Sequence, residues 1–153
     1  MIRAALLAFA LQAAATVTDA NGHHFRAPPQ AALDAIVDGA LADTLFPGDD
    51  GQRATVGTLI VFAAHESGFQ ISPRGSNDHG QACGPFQRHA SGEACLRLRR
   101  DWAYAVKVAL QDFRTSMAVN PSHPWAAYCG SGQAAIRISD ARVAEVKSLM
   151  VTP

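Results

Sequence analysis

Apolar residues recur at helical spacing over most of the chain. From Gln30 to Phe46, Leu33, Ile36, Val37, Ala40, Leu41 and Leu45 share one face, while Asp34, Asp38 and Asp43 fall off it. That spacing predicts a helix opened by Pro29 and stopped by Pro47-Gly-Asp-Asp-Gly51. A second helix is expected from about Arg53 to Ser67, with Val56, Leu59, Ile60, Phe62 and Ala63 as its apolar residues. A long helix is expected from about Ala94 to Val119. Its buried side is Leu96, Leu98, Trp102, Ala105, Val106, Ala109, Leu110 and Phe113, and Asn120-Pro-Ser-His-Pro124 ends it. Trp125 to Gly132 reads as a short element closing on a glycine turn, and Ser139 as the cap of a last helix reaching about Met150. Residues 68–95 are rich in glycine and poor in aliphatics, which predicts a loop with room for a small hairpin. So long a loop in a small domain is a candidate functional element. The expected fold class is mainly α, with four or five helices and little strand.

The N-terminal pattern differs. Met1-Ile-Arg3 precedes the apolar run Ala4 to Leu11, and small residues follow at Ala13-Ala-Ala15 and again at Thr18-Asp-Ala20. Residues 1–20 read as a signal peptide, 21–28 as a linker or arm ending at Pro28-Pro29, and 29–153 as one domain. The run is too short for a stable membrane anchor. A periplasmic or secreted location is expected, with a mature start near Thr16 or Asn21. The alternative is an N-terminal helix packed on the domain.

Composition narrows this further. With 153 residues, 48% apolar and 17% charged, the chain suits one globular domain with a real core. Thirteen basic and thirteen acidic side chains cancel, and no polybasic block marks a nucleic-acid partner. A neutral or polysaccharide ligand fits this balance. Export would put Cys83, Cys95 and Cys129 in an oxidising compartment. Cys83 and Cys95 enclose a short loop and are the expected pair, leaving Cys129 over; Cys83–Cys129 stays open as an alternative. Neither Cys-x-x-Cys nor His-Glu-x-x-His occurs. His23 and His24 read as linker, and His65, His79, His89 and His123 as surface or cleft-rim residues. No metal and no cofactor are expected.

The candidate chemistry starts at Glu66, which ends the second apolar helix. Burial there would disfavour the carboxylate and raise its pKa. An acid that keeps its proton near neutral pH can serve as a general acid. A solvated Glu at a helix end is the plain alternative. Three runs follow one another: His65-Glu66-Ser67-Gly68-Phe69, Asn77-Asp-His-Gly-Gln-Ala-Cys-Gly-Pro-Phe-Gln87 and Ala127-Tyr128-Cys129-Gly130. In order and spacing they resemble the lytic transglycosylase and goose-type lysozyme superfamily, over roughly residues 30–150.

That resemblance implies a lysozyme-like helical domain that cleaves the N-acetylmuramic acid–N-acetylglucosamine bond of peptidoglycan. Glu66 would protonate the leaving oxygen and later act as base. The substrate's own N-acetyl group would assist, so one Glu suffices. In a transglycosylase the sugar's C6 hydroxyl then closes an anhydro ring; in a goose-type hydrolase water attacks. The resemblance also implies supporting roles. Ser67 would hydrogen-bond within the cleft, and Gly84 would let the loop approach the glycan. Phe86 would pack under the loop, Gln87 would bond sugar or Glu66, and Tyr128 would aim its hydroxyl at Glu66. A turn glycine, a core Phe and a buried Tyr are the ordinary structural alternatives.

Two positions depart from the family pattern. Cys129 stands where the family has Asn, and a thiol hydrogen-bonds weakly; Cys83 is also unusual. Asp78, the acid of the loop, could orient a water or stabilise positive charge on the sugar, or simply cap a turn after Asn77. The expected partner is the peptidoglycan glycan strand and the expected state a monomer. Two competing readings are a catalytically silent glycan-binding wall protein, motivated by Cys129, and a helical interaction domain without a cleft.

Overall fold

A computed structural model of the chain describes residues 1–73 and 82–151. It is mainly helical. Helices α1 (Ile2–Thr16), α2 (Gln30–Ala42) and α3 (Gly51–Ser67) come first. An antiparallel hairpin follows, β1 (Ala82–Cys83) and β2 (Arg88–His89), with Ala82 opposite His89 and Cys83 opposite Arg88. Then come α4 (Gly92–Leu98), α5 (Trp102–Val119), α6 (Ala126–Cys129) and α7 (Gly132–Met150).

Helix α3 is the axis of the packing. Every residue from Thr55 to Ala64 is buried, and α1, α2 and α7 lie around it. A helix covered on all sides carries apolar residues on all sides, and the unbroken run from Leu59 to Ala64 is that signature. Its buried hydroxyls are satisfied. Thr55 donates to the Gly51 carbonyl at 2.8 Å and accepts from the Leu45 N–H at 2.9 Å, and Thr58 donates to the Ala54 carbonyl at 2.9 Å. Helix α2 meets α5 closely at Gly39, where a Cβ would lie 2.4 Å from Val106 Cγ1. Beyond α3 the core is aromatic: the Phe113 ring lies 4.7 Å from Phe62, 4.7 Å from Tyr128 and 5.4 Å from Trp125, centroid to centroid.

The segment read as a signal peptide forms α1, which packs on α2 and α3 through Leu6, Phe9, Ala10, Ala13 and Ala14. Arg3 donates to Asp34 at 2.8 Å and to Asp38 at 2.7 Å. The Arg53 guanidinium lies 4.5 Å over the Phe9 ring. Residues 17–29 form an extended arm that carries the bridge Thr18–His24. Among the described residues no helix is long and apolar enough to cross a membrane.

Three helix boundaries differ from expectation, each for a tertiary reason. Helix α2 stops at Ala42, because Asp43 turns out to pair with Arg114, which also donates to the Thr44 carbonyl at 2.9 Å. The expected helix over Ala94–Val119 is two helices. The Asp101 N–H turns back to the Arg97 carbonyl at 3.0 Å, and the Asp101 carboxylate caps α5 by accepting the Tyr104 N–H at 2.9 Å. Ser139 caps nothing. It lies mid-way along α7, fully buried, and its Oγ accepts the Trp125 N–H at 3.0 Å.

Candidate active site

Glu66 is the penultimate residue of α3. The helix ends there because Gly68 adopts φ 58°, and the N–H groups of Gly68 and Phe69 return to the Ala64 and Ala63 carbonyls. The side chain is half-buried at the negative end of the helix dipole, a poor place for a carboxylate. Burial holds its pKa above the ordinary value, while the charges of Arg142 and then His65 pull it back.

Both groups are tied to one acid of α7. Glu145 Oε2 lies 3.0 Å from His65 Nε2 and 3.5 Å from Arg142 Nη1. The side chains of His65 and Arg142 are only 14% and 19% exposed, so this is not a solvated surface cluster. His65 was expected at a surface or cleft rim. Glu145 instead holds it inside, and the Phe25 ring of the arm meets it edge-on at 5.1 Å. Sequence reasoning missed Arg142 and Glu145. Their spacing on α7 suggests a local pair, but nothing in it points across to α3.

The second run forms the hairpin. Cys83 and Cys95 are bridged, as expected from their spacing, and the Cys83–Cys129 alternative falls away. Gly84 has φ 73°, and a Cβ there would lie 2.5 Å from the Leu98 carbonyl oxygen. The glycine therefore admits α4, a different close approach from the expected one to a glycan. Phe86 is 3% exposed and packs on Phe113, which fits its place under the loop. The Gln87 amide donates to the Gly84 carbonyl at 2.8 Å, closing the turn rather than reaching Glu66. Asp78 and His79 lie outside the described residues.

The third run approaches both others. Tyr128 packs edge-on to Phe62 of α3 at 5.3 Å, but its hydroxyl donates to the Phe86 carbonyl, not to Glu66. Burial, then the charges of Glu66 and Asp112, push the Tyr128 pKa far up, so it stays a neutral donor. Cys129 is a free thiol with its pKa pushed up to about 11 by burial and then by Glu66, with Arg142 opposing. Ser67 donates to the Ala63 carbonyl at 2.9 Å, which spends its hydroxyl on its own helix instead of the cleft. Asp112 of α5 was not anticipated. Burial raises its pKa against the pull of Arg88, whose guanidinium donates to it at 2.9 Å.

Tyr128 and Cys129 of the third run lie near enough to Glu66 for its charge to raise their pKa values, and Arg142 and His65 are the basic groups that act on Glu66. A carboxyl with a raised pKa holds its proton to higher pH than an exposed one, and a carboxyl that holds its proton can release it to a leaving group and take one back. Among the described residues no three His, Cys, Asp or Glu side chains converge as metal ligands would. Comparison with protein-family models, with curated proteins and with solved structures found no match.

Proposed function

We propose that the chain is a peptidoglycan-cleaving enzyme of lysozyme-like fold, acting on the N-acetylmuramic acid–N-acetylglucosamine bond, and that it is a lytic transglycosylase. The observation that carries this reading is Glu66: a half-buried carboxyl at the end of a helix whose middle is buried, its pKa raised, next to the Tyr128-Cys129 run. As the glycosidic C1–O4 bond breaks, the Glu66 proton passes to O4. The substrate N-acetyl oxygen holds C1 meanwhile. The Glu66 carboxylate then takes the proton of the C6 hydroxyl as O6 bonds to C1 and the N-acetyl oxygen leaves it, which closes the anhydro ring and restores the acetamido group. A goose-type hydrolase differs only in the last step, where water supplies the oxygen. The reading calls for no cofactor and no metal, for glycan strands as partner, and for a monomer acting in the periplasm or outside the cell.

A second reading has its own support. Ser67, Gln87 and Tyr128 all spend their polar groups on backbone carbonyls, and Cys129 offers only a weak donor. A wall-binding protein without turnover fits that economy of polar groups. Incubation of purified sacculi with the protein, followed by mass spectrometry of the sugar ends, separates the readings. Anhydro ends support the transglycosylase and reducing ends the hydrolase. Binding without any new ends supports the silent protein and overturns the enzymatic reading.

A further inference from the structure

The aromatic side chains of the core account for most large rings of the chain, but Trp102 stands outside that buried cluster. It is the first residue of α5, it is half-buried, and two concave grooves meet at it. One, about 470 Å³, runs between the arm at Arg26–Pro29 and the loop Phe69–Ser72. The other, about 780 Å³, continues between α2 and α4 past Ala35 and Arg97. Both volumes lie in the range of about 300–1,000 Å³ typical of small-ligand sites.

The smaller groove begins a few residues beyond Glu66 on the same stretch of chain. Its wall is shaped by Phe69, a buried non-glycine residue at φ 60°. That conformation is uncommon for a bulky residue, and it turns Gln70, Ile71 and Ser72 toward the arm. The lining is mixed. Trp102, Pro29 and Ile71 give apolar surface, while Gln70, Ser72 and Arg26 place exposed polar groups at the rim. An indole bordered by amide, hydroxyl and guanidinium groups suits a pyranose ring, whose C–H face can stack on the aromatic while its hydroxyl and acetamido groups take the hydrogen bonds.

We propose that the groove crossing Trp102 is a saccharide subsite for N-acetylated glycan, with the indole as stacking platform and Gln70 and Ser72 as hydrogen-bonding partners. The inference rests on the glycan-cleaving reading for its choice of sugar. It adds a binding region that neither Glu66 nor the hairpin supplies. The platform joins the two grooves, so a strand lying across it would occupy more than one sugar position.

The test uses the full chain and the linear tetramer of N-acetylglucosamine. Binding is followed by calorimetry and by tryptophan fluorescence, in which Trp102 is the half-buried reporter and Trp125, 2% exposed, the silent one. Trp102→Ala is expected to weaken binding at least tenfold and abolish the fluorescence change, while Trp102→Phe retains most of the affinity. Ser72→Trp, which fills the groove from an exposed position, is expected to weaken binding as well and guards against a folding defect in the first variant. Wild-type-like binding by either Trp102→Ala or Ser72→Trp, or no binding by the parent chain, overturns the subsite. Loss of wall cleavage in Glu66→Gln with unchanged tetramer binding in Trp102→Ala sinks the subsite alone. Tetramer binding that needs Trp102, in a chain that leaves sacculi uncut, sinks the cleavage reading alone.

Discussion

Tyr128 of α6 donates its hydroxyl to the Phe86 carbonyl in the hairpin turn, joining two segments 42 residues apart. The tyrosine is half-buried and packs on Phe62 and Phe113, so this bond ties the hairpin turn to α6 and the aromatic core. Tyr128→Phe keeps the ring and leaves a part-buried carbonyl without its donor. It is expected to cost about 1–3 kcal/mol, read from denaturant midpoints at constant slope. A variant as stable as the parent would mean that water replaces the hydroxyl freely.

Arg142 lowers the pKa of Glu66, against the larger effect of burial. Removing its charge leaves only His65 opposing burial, so Arg142→Gln should raise the Glu66 pKa further. If the proton of Glu66 is the one transferred, activity falls as pH rises through that pKa. The alkaline limb of the rate profile is therefore expected to move to higher pH in Arg142→Gln. A limb that stays put, in a variant with an unchanged melting temperature, counts against Glu66 as the titrating acid.

The same pKa carries a stability consequence. The folded-state value for Glu66 lies above the unfolded one, so the folded chain holds more protons between the two. Stability linked to this group is full below the ordinary carboxylate range and is lost as pH rises through the raised value. Glu66→Gln cannot ionise and escapes that loss. Its stability relative to the parent should be near zero in acid and should turn favourable toward neutral pH. Chemical denaturation at both ends of the range checks the sign, and a variant that becomes less favourable as pH rises would contradict it.

Helix α1 gives a separate handle. Phe9 is 7% exposed, contacts α3 near Gly57 and carries Arg53 over its ring. Phe9→Ala is expected to destabilise the full chain by about 3 kcal/mol, visible as a lower thermal midpoint. A chain cut after Ala20 loses α1 altogether and should be less stable still. Equal melting of the cut and full chains would show that α1 adds nothing to the domain.

How much of this was legible in the sequence depended on how local its cause was. The apolar residues of α3 announced the helix and its end near Ser67. The disulfide followed from the short Cys83–Cys95 spacing. The break between α4 and α5 hides behind continuous helical periodicity, because the capping by Asp101 competes with a pattern that runs straight past it. Ser139 looked like a cap because its real partner, the Trp125 N–H, is visible only in three dimensions. The candidate site shows the same division. Glu66, Phe86 and Tyr128 were singled out from residue type and order. The destination of each polar group was not, since Tyr128, Gln87 and Ser67 bond to backbone carbonyls that carry no side-chain signature. Arg142 and Glu145 reach Glu66 and His65 only through the packing of α7 on α3.

The central claim is that Glu66 carries the proton for glycosidic cleavage. Glu66→Gln keeps the shape of the side chain and removes the acid. Purified sacculi incubated with equal amounts of folded parent and variant give the measurement, read as new sugar ends released over time. The parent is expected to release anhydro ends, and the variant to lose at least a hundredfold in rate, the lower part of the range usual for a general acid, about 10²–10⁴. Release of the same ends at the same rate by the variant would contradict the account.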